Sequence, residues 1–308
     1  MVGTLIQSVG SLGPMQPRVA GILLAAGEGS RLGQPKALVE IAGQRLVDRG
    51  LRMLRAGGAD PVVVVTGAAP VDVPGALVVH NPAWPTGMGS SLAAGLSALR
   101  ALPPDECSAA LIALADQPLV SPACVKRLIA AHRGDANLAR GPIEDRRQPS
   151  EAGAPVSGDR RNPAVAGGPR AAGDSDAGGG LGTTGGVNAA DGLGVAADGL
   201  GVAADGLGVA ADGLGVIARS GPGSASIAVA AYGGRPRNPV LIAREHWAEV
   251  LTMAHGDTGA RPFLRAHPDL ITLVECGDIG RPDDIDTPED LVRVAKIAAR
   301  LLMEGSIW

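Results

Sequence analysis

The stretch Leu23–Lys36 reads L-L-A-A-G-E-G-S-R-L-G-Q-P-K. It is entered through Val19–Leu24, an apolar run of aliphatic and β-branched residues of the kind that forms a strand buried on both faces. Gly27, Gly29 and Gly33 then interrupt the run, with Arg31 and Lys36 among and after them. Glycines let a backbone approach a ligand closely and turn its N–H groups toward one point. Arg31 offers a planar fork of donors and Lys36 a compact charge, the two common ways of holding phosphate. The same composition also suits a glycine-rich strand-to-helix turn with two solvated cations. The spacing matches neither G-x-x-x-x-G-K-[ST] nor G-x-G-x-x-G, which lowers the claim of ATPases and simple dinucleotide binders.

Outward from this loop the pattern repeats. Gln44–Ala56 has Leu46, Val47, Leu51 and Leu54 at helical spacing, stopped by Gly57-Gly58. Strands are expected at Pro61–Thr66, Ala76–His80 and Ala109–Ala115, and helices at Ser90–Arg100 and from Pro122, capped by Ser121, to His132. After a long interval, Ser226–Tyr232 and Leu270–Glu275 read as strands and Ala243–Met253 as a helix. Thr287-Pro288-Glu289-Asp290 opens a last helix. Strand, loop and helix in alternation predict an α/β fold, a Rossmann-like three-layer α/β/α arrangement around a mostly parallel sheet. Ligands of such sheets bind beyond the carboxyl ends of the strands, where the glycine-rich loop, Asn81–Ser91 and Asp116 all fall.

The interval is different in kind. Residues 135–224 are rich in Gly, Ala, Asp, Pro and Arg, and A-A-D-G-L-G-V occurs four times in tandem from Ala189. Two glycines per repeat cost about 2 kcal/mol of helix propensity, which opposes a coiled coil despite the seven-residue period. Too few large apolar groups are present to offset ordering, so a loose, unfolded insert is expected in a domain split into 18–134 and 225–303, behind a tail at 1–17.

Composition excludes several classes. The net charge of −4 gives no electrostatic footprint for nucleic acid. No run approaches the ~18 apolar residues of a membrane span, and the first 17 residues lack a signal-peptide pattern, so a cytoplasmic protein is expected. Cys107, Cys124 and Cys276 have no metal or disulfide spacing and read as buried small apolar residues. Five aromatic residues leave the core to Ala, Val, Leu and Ile. Only three lysines occur, so a lysine in the glycine-rich loop is a selective choice.

The loop, together with N-P-A-W-P-T-G-M-G-S-S-L, A-D-Q-P and D-I-D-T-P-E-D-L in this order, resembles the MobA-like nucleotidyltransferases, which include the molybdenum cofactor cytidylyltransferases. The resemblance covers roughly 18–134 and 226–302. It implies that Ala25, Ala26, Gly27 and Gly29 contact a nucleotide through backbone, and that Arg31 and Lys36 neutralise its triphosphate. It implies that Gly87 and Ser90 help enclose the nucleotide, and that Asp116 and Asp286 hold Mg²⁺, with Asp284 a weaker candidate. Lys36, Arg31 and Asp116 would then be the catalytic set. Asn238, Asp257 and Arg261 would lie on the acceptor side; the family's G-H-P-V-L stands here as R-N-P-V-L, which leaves the acceptor open. L-A-A-G resembles the cytidylyl branch, so CTP is the expected substrate. The implied acceptor is molybdopterin cofactor, and the implied macromolecular partner a molybdoenzyme or its chaperone. Read without the resemblance, Asp116 and Asp286 are also suited to a strand-end turn and a helix-cap loop. The closing G-D-T-G-A-R-P-F-L-R-A-H-P stretch is similar to an NAD(P)H-dependent oxidoreductase of the nicotine blue type, the alternative on the same fold.

Overall fold

Aliphatic runs without polar alternation end up between two layers of helices, and that is where this chain places them. The computed structural model describes residues 18–104, 106–139 and 224–304, all within one folded unit. The tail and most of the expected insert, with its A-A-D-G-L-G-V repeats, lie outside the described residues.

A seven-stranded sheet holds β1 (Arg18–Ala25), β4 (Val62–Thr66), β5 (Leu77–His80), β6 (Cys107–Leu114), β7 (Ile227–Tyr232), β8 (Arg235–Ala243) and β9 (Ile271–Glu275). The order is β5-β4-β1-β6-β8-β7-β9. β1 pairs in parallel with β4 and β6, and β7 with β9, while β8 is antiparallel to both its neighbours. A two-stranded hairpin, β2 (Glu40–Ile41) and β3 (Gln44–Arg45), stands apart from the sheet.

Alternate residues of β1 serve opposite layers. Val19, Leu23 and Ala25 pack with α1 (Leu46–Ala56) and α3 (Pro122–Arg133). Ala20, Ile22 and Leu24 face α2 (Met88–Arg100), α5 (Trp247–Met253) and α6 (Arg261–Ala266). With so few aromatics, close approach replaces bulk: a Cβ at Gly50 would meet Leu23 at 2.6 Å, and one at Gly95 would meet Ile22 at 2.7 Å. A third cluster joins α7 (Pro288–Met303), through Val294 and Ala298, to Val39, Ile41, Leu119 and Ile285. The three-layer α/β/α expectation is met.

The differences have local causes. β8 is absent from the sequence reading because Pro236 and Pro239 argue against a strand. Its ladder slips between Val229 and Ala230 of β7, a bulge that accommodates Asn238-Pro239. Gln44 and Arg45 form β3 rather than the first turn of α1, and residues 244–246 form a 3₁₀ turn ahead of α5. One further turn of helix, α4 (Ala136–Ala139), lies inside the stretch expected to be insert. All three cysteines are buried free thiols. Cys124 and Cys276, distant in sequence, have sulfurs 2.9 Å apart. Among the described residues no helix is long and apolar enough to cross a membrane.

Candidate active site

β1 ends at Ala25, and the chain turns back over the sheet's carboxyl edge. Gly29, at φ 63°, would drive a Cβ into the carbonyl of Gln34, so only glycine closes this loop. Lys36 N–H donates to the Gly27 carbonyl at 3.2 Å, and Leu32 N–H to Gly29 at 2.8 Å. The N–H groups of Glu28, Gly29, Ser30 and Arg31 have no partner among the described residues. Arg31 is exposed and makes no ion pair or hydrogen bond among them either. The loop therefore offers free backbone donors and a free guanidinium, a set suited to an anion with several oxygens.

Lys36, by contrast, is engaged by carboxylates. Its Nζ donates to Asp116 Oδ2 at 2.8 Å and also to Asp286 Oδ1, bridging residues 80 and 250 positions away. Asp116 follows the end of β6. Asp286 is held just ahead of α7 by a capping box: Asp290 N–H donates to Thr287 Oγ1 at 3.2 Å, and Asp290 Oδ2 accepts from Thr287 N–H at 3.1 Å and Asp286 N–H at 3.3 Å. Ile285, buried in the third cluster, donates its N–H to the Asp116 carbonyl at 3.0 Å and ties the two segments together. Gln117 adds a second tie, its Nε2 donating to Asp284 Oδ1 at 2.7 Å.

The electrostatics are unbalanced toward negative charge. Burial works to lower the Lys36 pKa, but the charge of Asp116 and hydrogen bonds to both carboxylates outweigh it and hold the ammonium protonated. Asp284 is pushed up to about 8, by burial first and then by the negative charge of Asp116. Asp116 Oδ1 and Gln117 Oε1 are buried acceptors with no hydrogen-bond partner among the described residues. An all-oxygen donor set with unmet acceptor capacity suits a hard divalent cation better than a soft one. Among the described residues no group of three or more His, Cys, Asp or Glu is disposed to hold a metal; the carboxylates that share Lys36 are the Asp116 and Asp286 pair.

The other expected residues are distributed around this centre. Gly87, with φ 109°, precedes α2; a Cβ there would fall on the backbone of Gly256, so the Gly256–Thr258 turn lies against the start of α2. That turn carries the exposed Asp257, and Arg261 begins α6. Ser90 Oγ is engaged within its own loop, donating to Ala83 and Gly87 carbonyls at 2.9 and 2.8 Å. Asn238 is fully buried in β8, and neither amide atom has a partner among the described residues. No hydrogen bond or ion pair joins Asn238 or Asp257 to the lysine–aspartate cluster. The Gln117–Asp284 contact escaped sequence reading; the adjacency of Gln117 to Asp116 in A-D-Q-P was its one signal.

Several known proteins are similar to this chain. Nicotine blue oxidoreductase from Paenarthrobacter nicotinovorans is 28% identical over 290 residues, 90% of this chain and 97% of that one. A bifunctional IPC transferase and DIPP synthase from Rubrobacter xylanophilus is 38% identical over 123 residues, 36% of this chain and 26% of the relative. A protein named "Probable molybdenum cofactor guanylyltransferase" from Opitutus terrae is 47% identical over 47 residues, 15% of this chain and 23% of its own. Among solved structures, the homologue of Mycobacterium tuberculosis Rv0371c from Mycobacterium sp. strain JC1 has a TM-score of 0.54 at 21% identity, covering 93% of this chain and 100% of that one. A nucleotidyl transferase from Methanothermobacter has a TM-score of 0.52 at 18% identity, over 92% and 98% of the two chains. These two likenesses speak to fold. The profile of the MobA-like NTP transferase domain matches residues 21–175, half of the chain and the segment holding the glycine-rich loop, Lys36 and Asp116, and the chain belongs to that family.

Proposed function

We propose that this protein transfers a nucleotidyl group from a nucleoside triphosphate to a phosphorylated small acceptor and releases pyrophosphate. The observation that carries the reading is the Lys36 ammonium held between Asp116 and Asp286 beside a loop of free backbone donors. Attack on an α-phosphate leaves the protein mainly positioning and charge stabilisation to supply, and this constellation is built for both. Asp116 and Asp286 would hold Mg²⁺, which when bound would neutralise charge on the triphosphate. Two carboxylates suffice, because Mg²⁺ keeps several of its waters. Free N–H groups at residues 28–31 and the Arg31 guanidinium receive phosphate oxygens, while Lys36 stabilises charge as it moves onto the leaving pyrophosphate. A phosphate acceptor is already anionic at neutral pH, so no general base is required.

CTP is the favoured donor, since Ala26 occupies the place where guanylyl relatives carry glycine; one methyl group supports about 1–3 kcal/mol of discrimination. Molybdopterin cofactor is the proposed acceptor, with a molybdoenzyme or its chaperone as the onward partner. The second reading, NAD(P)H-dependent reduction of a quinone-like compound, is favoured by the near full-length likeness to nicotine blue oxidoreductase. Hydride transfer gives the lysine–aspartate cluster no task, which is why it ranks second. A panel of nucleotides and phosphorylated acceptors, assayed for pyrophosphate with NAD(P)H oxidation followed in parallel, separates the two. Pyrophosphate release dependent on both substrates supports transfer; reductase activity that survives chelator, without pyrophosphate from any nucleotide, overturns it.

A further inference from the structure

Five aromatic side chains serve the whole chain, and their places differ. Trp247 and Phe263 are fully buried in the sheet–helix core, and Tyr232 hydroxyl donates to the Asn238 carbonyl. Trp308 lies outside the described residues. Trp84 is half-exposed, at the carboxyl edge of the sheet.

Its surroundings are those of the glycine-rich loop. A Cβ at Gly67, just past β4, would lie 2.6 Å from Trp84 Cβ and Cγ and 2.8 Å from the Ala26 methyl. The indole therefore rests directly on the backbone of Gly67, in a notch that it shares with Ala26. Ala68 N–H donates to the Ala26 carbonyl at 3.2 Å and fixes the floor of the notch.

The segment that carries Trp84 is held from within. Trp84 N–H donates to the Asn81 carbonyl at 3.3 Å, and Gly87 N–H to the Trp84 carbonyl at 3.0 Å. The buried Asn81 amide accepts from Ala83 N–H at 3.0 Å and donates to Ser90 and Ser91 hydroxyls at 2.9 and 3.0 Å. None of these bonds uses the indole N–H, which has no partner among the described residues. A flat, pre-positioned ring with an unused donor, beside a loop suited to phosphate, matches a planar heteroaromatic ring with polar edges.

We infer that Trp84 is the platform on which the nucleobase of the triphosphate substrate lies, and that with Ala26 and Gly67 it sets base preference. This rests on the nucleotidyltransferase reading. Stacking accepts any base, so Trp84 supplies affinity while the Ala26 methyl beside it discriminates.

The test measures binding by calorimetry and tryptophan fluorescence, with CTP, GTP and inorganic tripolyphosphate as probes. Trp84→Ala should weaken CTP binding on the order of tenfold and leave tripolyphosphate binding within about twofold. Trp84→Phe should restore CTP affinity to within about threefold of the parent, because a phenyl ring still stacks. CTP should quench the parent's fluorescence and leave that of Trp84→Phe unchanged, since buried Trp247 remains in both. Equal losses for CTP and tripolyphosphate, or unaltered CTP affinity in Trp84→Ala, would overturn the platform while leaving nucleotidyl transfer standing. No binding of any nucleotide by the parent protein would overturn both.

Discussion

Lys36 carries one positive charge between the carboxylates of Asp116 and Asp286, and the consequences of changing each residue differ in sign. Lys36→Met leaves Asp116 and Asp286 facing each other, so the protein should lose about 1–3 kcal/mol of stability, a buried-pair cost discounted for partial exposure. Asp116→Asn instead removes a charge from a site with negative charge in excess. Its melting temperature without divalent ions should be unchanged or raised, while turnover falls on the order of 10²-fold or more. Asp286→Asn should behave alike, and the double variant should lose little beyond either single one, because both residues serve one centre. Thermal melts with and without chelator, beside turnover assays, check all three; a large loss of stability in Asp116→Asn would place that residue in the framework. The meeting of Lys36, Asp116 and Asp286 was legible in the sequence because α/β topology brings strand ends and the loops after them together. The Asp284–Gln117 contact and the Trp84–Gly67 notch were not, since both depend on how two loops lean on each other.

At the scale of elements, two devices hold the site and each can be probed. The Thr287–Asp290 capping box satisfies donors at the start of α7 and keeps Asp286 in place. Thr287→Ala should cost ~1 kcal/mol by chemical denaturation; no change would mean that the cap is replaced by solvent. On the far side of the β9–α7 connection, Arg127 grips Asp278 through two hydrogen bonds of 2.5 and 2.6 Å. This guanidinium holds the Asp278 carboxyl below its usual range, so the pair's contribution is fully present above the unfolded-state value of about 3.9. It is lost as pH falls through the lower folded-state value. Asp278→Asn should therefore be less stable than the parent at neutral pH, and the two should converge in acid. A gap that stays constant down to pH 2 would rule the pair out as the cause. The parallel strands and long helices were readable from aliphatic runs and caps. β8 was not, because its prolines obey strand rules only once a bulge beside β7 is known.

Over the whole molecule, the described flanks of residues 140–223 return to one place. Ala225 N–H donates to the Ala131 carbonyl at 3.0 Å, and His132 Nδ1 lies 2.9 Å from the Ala225 carbonyl, so re-entry occurs beside the end of α3. Replacing residues 140–223 by a short linker should leave stability and turnover close to those of the full chain; loss of folded protein or of most activity would make the segment structural. Family and fold were legible from four motifs in order, whereas donor and acceptor depend on contacts with ligands that no motif specifies. Nucleotidyl transfer is decided by the fate of the α-phosphate. Given CTP labelled at the α-phosphate and a phosphorylated acceptor such as molybdopterin cofactor, the protein should move the label onto the acceptor and release unlabelled pyrophosphate, and Asp286→Asn should slow the transfer on the order of 10²-fold or more. Label that stays on the nucleotide for every acceptor tried, beside NAD(P)H-dependent reduction that Asp286→Asn leaves intact, would contradict it.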